Sequence, residues 1–225
     1  MKDQGSVSSH TTIENRLSPM PTICIIADTH RKHRELAIPE CDILIHCGDI
    51  CRFQQQDHEI LEDIDQWFAG VPAKRVICIG GNHDFPLERG EFRFAHADYL
   101  CDGLIEIDGL RIYGTPWCPD LSNFAFYLPN EELARKWQRI PTGIDVLITH
   151  TPPHGILDLP TSGNPHLGCH HLRKELERIR PRLHAFGHIH ASHGELSLNG
   201  TRFINAAVVS GPDLKVTHAP FLIGV

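Results

Sequence analysis

Five short polar clusters run through this 225-residue chain in order: Asp28-Thr29-His30, Gly48-Asp49, Gly81-Asn82-His83-Asp84, Thr149-His150 and Gly187-His188-Ile189-His190. They offer carboxylate, amide and imidazole donors, each close behind a short apolar run. Mixed oxygen and nitrogen donors of this kind suit a pair of divalent cations, with manganese, iron and zinc favoured over magnesium or calcium. Taken singly the clusters say little: Asp-x-His is a common surface pair, Gly-Asp a common turn, and one histidine is more often packed than ligating. Their number and order, each at the end of a strand-like run, carry the metal reading.

The elements that must position these groups are legible in outline. Residues 22–27, 42–47, 75–79, 145–149 and 183–186 are apolar on both faces, as strands buried on two sides are. Ile60, Leu61, Ile64, Trp67 and Phe68 share one helical face that ends at Gly70, and residues 131–140 and 170–179 predict two more helices. Asp108-Gly109 and Asn199-Gly200 separate pairs of short β-like runs, the signature of tight hairpins. A βαβ-type first half followed by more antiparallel strands predicts a mixed α/β (α+β) domain of two packed sheets flanked by helices. In such sheets ligands gather beyond the carboxyl ends of the strands, where every cluster here falls. Asp28 and His30 are two residues apart, as are His188 and His190, so an extended backbone would project each pair to one side. Residues 151–169 form a long Pro/Gly/His-rich loop, a length usually associated with function.

Composition bounds the rest. Hydrophobic residues at 41% and charged residues at 22% describe a globular domain, expected over residues 21–225 behind a flexible polar tail at residues 1–20. The net charge of −7, with no run of five lysines or arginines, argues against tight binding to polymeric nucleic acid. No apolar stretch reaches the roughly 18 residues of a membrane span. The eight cysteines include no Cys-x-x-Cys pair, which points to thiols acting as small hydrophobes in a reducing, cytoplasmic compartment.

The ordered clusters resemble the signature of the calcineurin-like metallophosphoesterase superfamily, and a closer resemblance runs from about Pro21 onward to the small metallophosphoesterase-domain-containing proteins. Arg34-Glu35-Leu36, Gly114-Thr115-Pro116-Trp117, Thr149-His150 with Pro152-Pro153, and Arg180-Pro181-Arg182-Leu183-His184 carry it. Some of those proteins have glycine where this chain has His188. The resemblance implies a four-layer sandwich and two cations, manganese first. Asp28, His30, Asp49 and His190 would hold one cation; Asn82, His150 and His188 the other, with Asp49 bridging. His83 would face the scissile phosphate, with Asp84 holding its imidazole. It also implies hydrolysis of small phosphodiesters, cyclic nucleotides included, by a hydroxide shared between the cations. Arg31, Asn123 and His154 are candidate substrate contacts, with His33, Trp117, Phe126, His170 and His171 as further members of the same rim. The alternatives are a nucleotide-sensing scaffold on the same fold, a phosphomonoesterase and a nuclease.

Overall fold

A computed structural model describes residues 20–52, 57–162 and 165–225, so the tail expected at residues 1–20 lies, except for Met20, outside the described residues. In chain order the strands are β1 (Thr22–Ile26), β2 (Cys41–His46), β3 (Ala73–Cys78), β4 (Asp98–Tyr99), β5 (Gly103–Ile107), β6 (Leu110–Thr115), β7 (Val146–Thr149), β8 (Leu183–Phe186), β9 (Gly194–Leu198), β10 (Thr201–Asn205), β11 (Val209–Ser210), β12 (Lys215–Val216) and β13 (Phe221–Gly224). The helices are α1 (His58–Gly70), α2 (Phe85–Glu88), α3 (Asn130–Gln138) and α4 (His170–Ile179).

Two large sheets result. One has the order β13-β1-β2-β3-β4, parallel from β1 to β4 with β13 antiparallel at the edge. The other runs β5-β6-β7-β8-β10-β9, parallel in its centre and closed at each end by a hairpin. Strand alternation sorts the apolar runs into layers. Ile23, Ile25, Ile43, Ile45 and Ile77 face the second sheet and meet Ile112, Val146, Ile148, Leu183 and Ile204. Their sequence neighbours Cys24, Ile26, Leu44 and Cys78 turn outward under Ile60, Leu61, Ile64 and Phe68 of α1. On the far side Tyr113, Leu147, Phe186 and Phe203 pack beneath Leu133 and Trp137 of α3 and Leu172 and Leu176 of α4. Each such buried side chain contributes roughly 1.5–3 kcal/mol. The architecture is helix, sheet, sheet, helix, as the sequence predicts.

Both hairpins form where the dipeptides predict them. Asp108 and Gly109 have φ of 50° and 81°, and Asn199 and Gly200 of 52° and 83°, the left-handed pair a two-residue turn requires. Other details differ from expectation. Trp67 is only half-buried and lies against His33, while Asp65 takes the inward place and accepts N–H groups of Ala95 and His96. The 151–169 loop is tied down by Asp158, which accepts from the backbone N–H of Gly155 and Gly168 at 2.9 Å each.

Two of the histidines outside the clusters prove to be core residues. His46 contacts the Thr29 hydroxyl at 3.0 Å. His184, between Phe186 and Phe203, donates from Nε2 to Thr149 Oγ1 at 2.8 Å, and that hydroxyl donates to the carbonyl of Thr151. Burial pushes each imidazole down from 6.5 to about 3. Between those values the unfolded chain takes up protons that the folded chain refuses, so stability present above pH 6.5 is lost as pH falls through this window. The slope is at most ~1.4 kcal/mol per pH unit per histidine. His184→Gln removes one such group. Its urea midpoint should fall less steeply than the wild type's on acidification from pH 6.5 to about 3; identical slopes would contradict the assignment.

Candidate metal centre

The C-terminal ends of the parallel strands β1, β2, β3, β7 and β8 lie along one edge of the two sheets, and each releases a polar cluster there. The loops after β1 and β2 are joined by backbone hydrogen bonds: Asp28 N–H to Gly48 O at 2.9 Å, His30 N–H to Asp49 O at 3.0 Å, and Arg31 N–H to Ile50 O at 2.9 Å. These loops are not extended, contrary to the sequence expectation. Asp28, His30, Asp49 and His188 have φ of 55°, 41°, 59° and 70°. The left-handed steps cost of order 1–3 kcal/mol each and persist because the surrounding loops over-determine them. Asp28 and His30 still converge on one group of donors, whereas His188 and His190, which opens a short 3-10 turn, part to different groups rather than serving one site as expected.

Two groups of donors face one another. Asp28, His30 and His190 form the first, with His190 Nε2 3.4 Å from Asp28 Oδ1 and 3.3 Å from His30 Nε2. Asn82, His150 and His188 form the second, with Asn82 Oδ1 2.9 Å from His150 Nε2 and 2.8 Å from His188 Nδ1. Asp49 stands between them: its Oδ2 is 3.7 Å from His30 Nε2 and 3.3 Å from His150 Nε2. Cys118 also lies within reach of His150 and His188. All seven expected ligands are therefore gathered at one place, five of them buried and His188 and His190 half-buried.

Hydrogen bonding around these groups tests whether cations fit. His30 Nδ1 is 2.8 Å from the carbonyl of Cys51 and His150 Nδ1 is 2.9 Å from that of Cys47. A carbonyl only accepts, so the proton sits on Nδ1 and the Nε2 lone pair points inward, the arrangement that outer hydrogen-bond partners impose on metal-binding histidines. His150 Nε2 then faces Asn82 Oδ1, acceptor against acceptor, a pairing that a shared cation or a proton must relieve. Burial would lower the His150 pKa, yet Asp49 and Asp28 lift it to about 9. Burial would likewise raise Asp49, but the charge of His150 and then of His83 holds it well below the ordinary carboxylate range. This donor set fits divalent cations.

His83 reaches the rim from the same turn as Asn82. Its N–H donates to Asp49 Oδ1 at 2.9 Å, its ring packs edge-on to His30 and Phe124, and 22% of its side chain is exposed. Asp84 does not play the part expected of it. Its carboxylate is fully buried and accepts backbone N–H groups of Gly81, Asp49, Ile50 and Cys51 at 2.8–3.3 Å, so it holds the loops rather than the His83 imidazole. Burial and the neighbouring Asp49 push it up to about 7.

Of the expected substrate contacts, Arg31 is exposed and 3.8 Å from Asp57 Oδ1, Asn123 is exposed beside Phe124, and His154 stacks on His170 at 3.6 Å. His33 is buried against Asp63, Trp117 is bound to Asp102, and Phe126 is buried beneath Trp117, so all three are structural. Sequence reasoning misses Phe124 and Cys118. Neither matches a ligand pattern, and composition alone puts Cys118 among the packing thiols.

Residues 21–192 match the family model described as calcineurin-like phosphoesterase. A UPF0046 protein of Caenorhabditis elegans is 34% identical over 209 residues, covering 84% of this chain and 70% of that protein. Metallophosphoesterase domain-containing protein 1 of Homo sapiens is 32% identical over 215 residues; the match covers 83% of this chain and spans 65% of that protein. The fold superposes on a solved protein of Thermus thermophilus, TT1561, with a TM-score of 0.56 at 12% identity, covering 83% of this chain and 88% of that one.

Gly81 offers a direct test of the geometry. A Cβ there would overlap Asp49 Oδ1 and its backbone N and stand 2.7 Å from His150 Cε1. Gly81→Ala should cost about 1–3 kcal/mol and displace Asp49 from both donor groups. After dialysis, elemental analysis should find less bound metal than in wild type, with the far-ultraviolet spectrum retained. Gly70→Ala, whose added methyl meets nothing within 4 Å, should leave metal content unchanged.

Proposed function

The chain belongs to the calcineurin-like phosphoesterase family, and from that premise we propose that it is a metal-dependent hydrolase of small phosphodiesters, cyclic nucleotides among them. The observation that carries the reading is the convergence of both donor groups on the Asp49 carboxylate. Asp28, His30 and His190 would hold one cation and Asn82, His150 and His188 the other, with Asp49 shared. Two bound cations supply what phosphoester hydrolysis needs, charge to offset that on the phosphate oxygens and acidified water. Manganese is the proposed metal for activity, with iron and zinc as the other candidates.

This chain's own groups then orient and protonate. Cys51 and Cys47 carbonyls fix the planes of His30 and His150, so the donors need no rearrangement when the substrate arrives. His83, partly exposed and anchored through its backbone to Asp49, would donate a proton to the departing ester oxygen. The edge of Phe124 limits how far that ring can swing. Arg31 and Asn123, exposed, and His154, half-buried, are the groups proposed to meet the substrate's far side. No described helix is long and apolar enough to cross a membrane. The net charge of −7 favours a small phosphoester over a nucleic-acid polymer. A non-catalytic scaffold on this fold is the rival reading; the complete ligand set and His83 weigh against it.

Metal-stripped protein given manganese should hydrolyse bis-p-nitrophenyl phosphate faster than p-nitrophenyl phosphate. Asp49→Asn should abolish turnover, and His83→Ala should lower kcat by roughly 10²–10⁴-fold while leaving bound metal unchanged. Faster turnover of the monoester would replace the diesterase reading. No turnover of either ester, with two metals bound per chain, would favour the scaffold.

A further inference from the structure

Cys118 is the one cysteine that joins a cluster of metal-ligating side chains among the described residues. It leaves the end of β6, the strand beside β7, and so arrives at the same sheet edge as His150. Its backbone is fixed on both sides, N–H to Phe126 O at 2.9 Å and O from Leu128 N–H at 3.3 Å, within a bridge to Tyr127. The sulfur is fully buried, and it lies within 4.8 Å of a ring nitrogen of both His150 and His188. The thiol donates a weak hydrogen bond, 3.5 Å to the carbonyl of Pro116. Those two histidines flank Asn82 Oδ1, so the thiol stands beside the second donor group.

We propose that Cys118 Sγ is a further ligand of the cation held by Asn82, His150 and His188, and that it biases this half of the centre toward zinc or ferrous iron over manganese. The inference rests on reading the site as a metal centre. Zinc bonds of ~2.3 Å to sulfur and ~2.0–2.1 Å to nitrogen call for a closer approach than the 4.8 Å within which these atoms lie. A cysteine closes that gap by rotation about its single χ1, giving up the weak bond to Pro116. On binding, the S–H bond breaks, the sulfur keeps the electron pair and donates it to the cation, and the proton passes to solvent. Thiolate ligation favours softer cations, whereas carboxylate and amide oxygen alone would accept manganese readily. The two halves of the centre would then differ in metal preference: Asp28, His30 and His190 have no sulfur in their group.

Cobalt(II) titration of the metal-stripped protein reads the ligand without any assay of turnover. Wild-type protein should develop visible d–d bands together with a near-ultraviolet thiolate-to-cobalt charge-transfer band. Cys118→Ala and the near-isosteric Cys118→Ser should lose the charge-transfer band and keep the d–d bands. In competition experiments both variants should lose zinc affinity by at least the roughly tenfold that removal of even an outer-shell partner costs, with little change for manganese. Wild-type d–d bands without the charge-transfer band would overturn the assignment of Cys118 and leave the metal centre standing. Persistence of that band in both variants would also overturn it. No cobalt bound at all would overturn this inference and the metal centre together.

Discussion

The buried carboxylate of Asp84 is the interaction on which the site depends. It receives four backbone N–H groups from two loops that follow different strands, Asp49 to Cys51 after β2 and Gly81 after β3. Hydrogen bonds to an ionised group contribute about 1.5–3 kcal/mol each, more than neutral ones, and these also have direction. They set the depth and angle at which the Asp49 loop meets the Asn82 loop. The N–H of His83 then closes the circuit by donating to Asp49 Oδ1. All four of Asp84's bonds reach backbone, yet through them it holds the loops that carry Asp49 and Asn82.

Burial beside Asp49 is costly for a second carboxylate, as its raised pKa records. The N–H groups and the charge of His150 offset part of that cost. The same logic runs through the centre. Inward lone pairs on His30 and His150, and the depressed pKa of Asp49, describe a cavity whose polar atoms favour a cation over one another. Left-handed backbone at Asp28, His30, Asp49 and His188 belongs to the same arrangement, strain held in place by the paired loops.

Much of this was legible in the chain. Apolar runs such as Ile23 to Ile26 and Ile43 to Ile45 are buried on both faces, and that burial leaves an unbroken hydrophobic signal. Asp-Gly and Asn-Gly announced the hairpins because few other pairs tolerate two positive φ angles. Residue type and order marked out the polar clusters, and the family resemblance they carry picked the seven metal-ligand candidates from them. The role of Asp84 was not legible, because a carboxylate that binds backbone N–H groups leaves the same letter in the sequence as one that binds an imidazole. Cys118 escaped notice for a related reason: a buried thiol that packs and one that ligates differ only in what the fold brings beside them. The two-residue strands β4, β11 and β12 are too short for any periodicity to show.

The edge strand β13 imposes an order of events. It pairs with β1 through Ile223 opposite Ile23, while the whole of the second large sheet lies within residues 103–205. During synthesis the second sheet can therefore assemble while one edge of β1 still presents unpaired N–H and carbonyl groups. That edge stays open until residues 221–224 have left the ribosome. A nascent chain stalled before that point would carry its ligand loops in place beside a sticky, half-finished sheet, the kind of species that holdase chaperones are suited to shield.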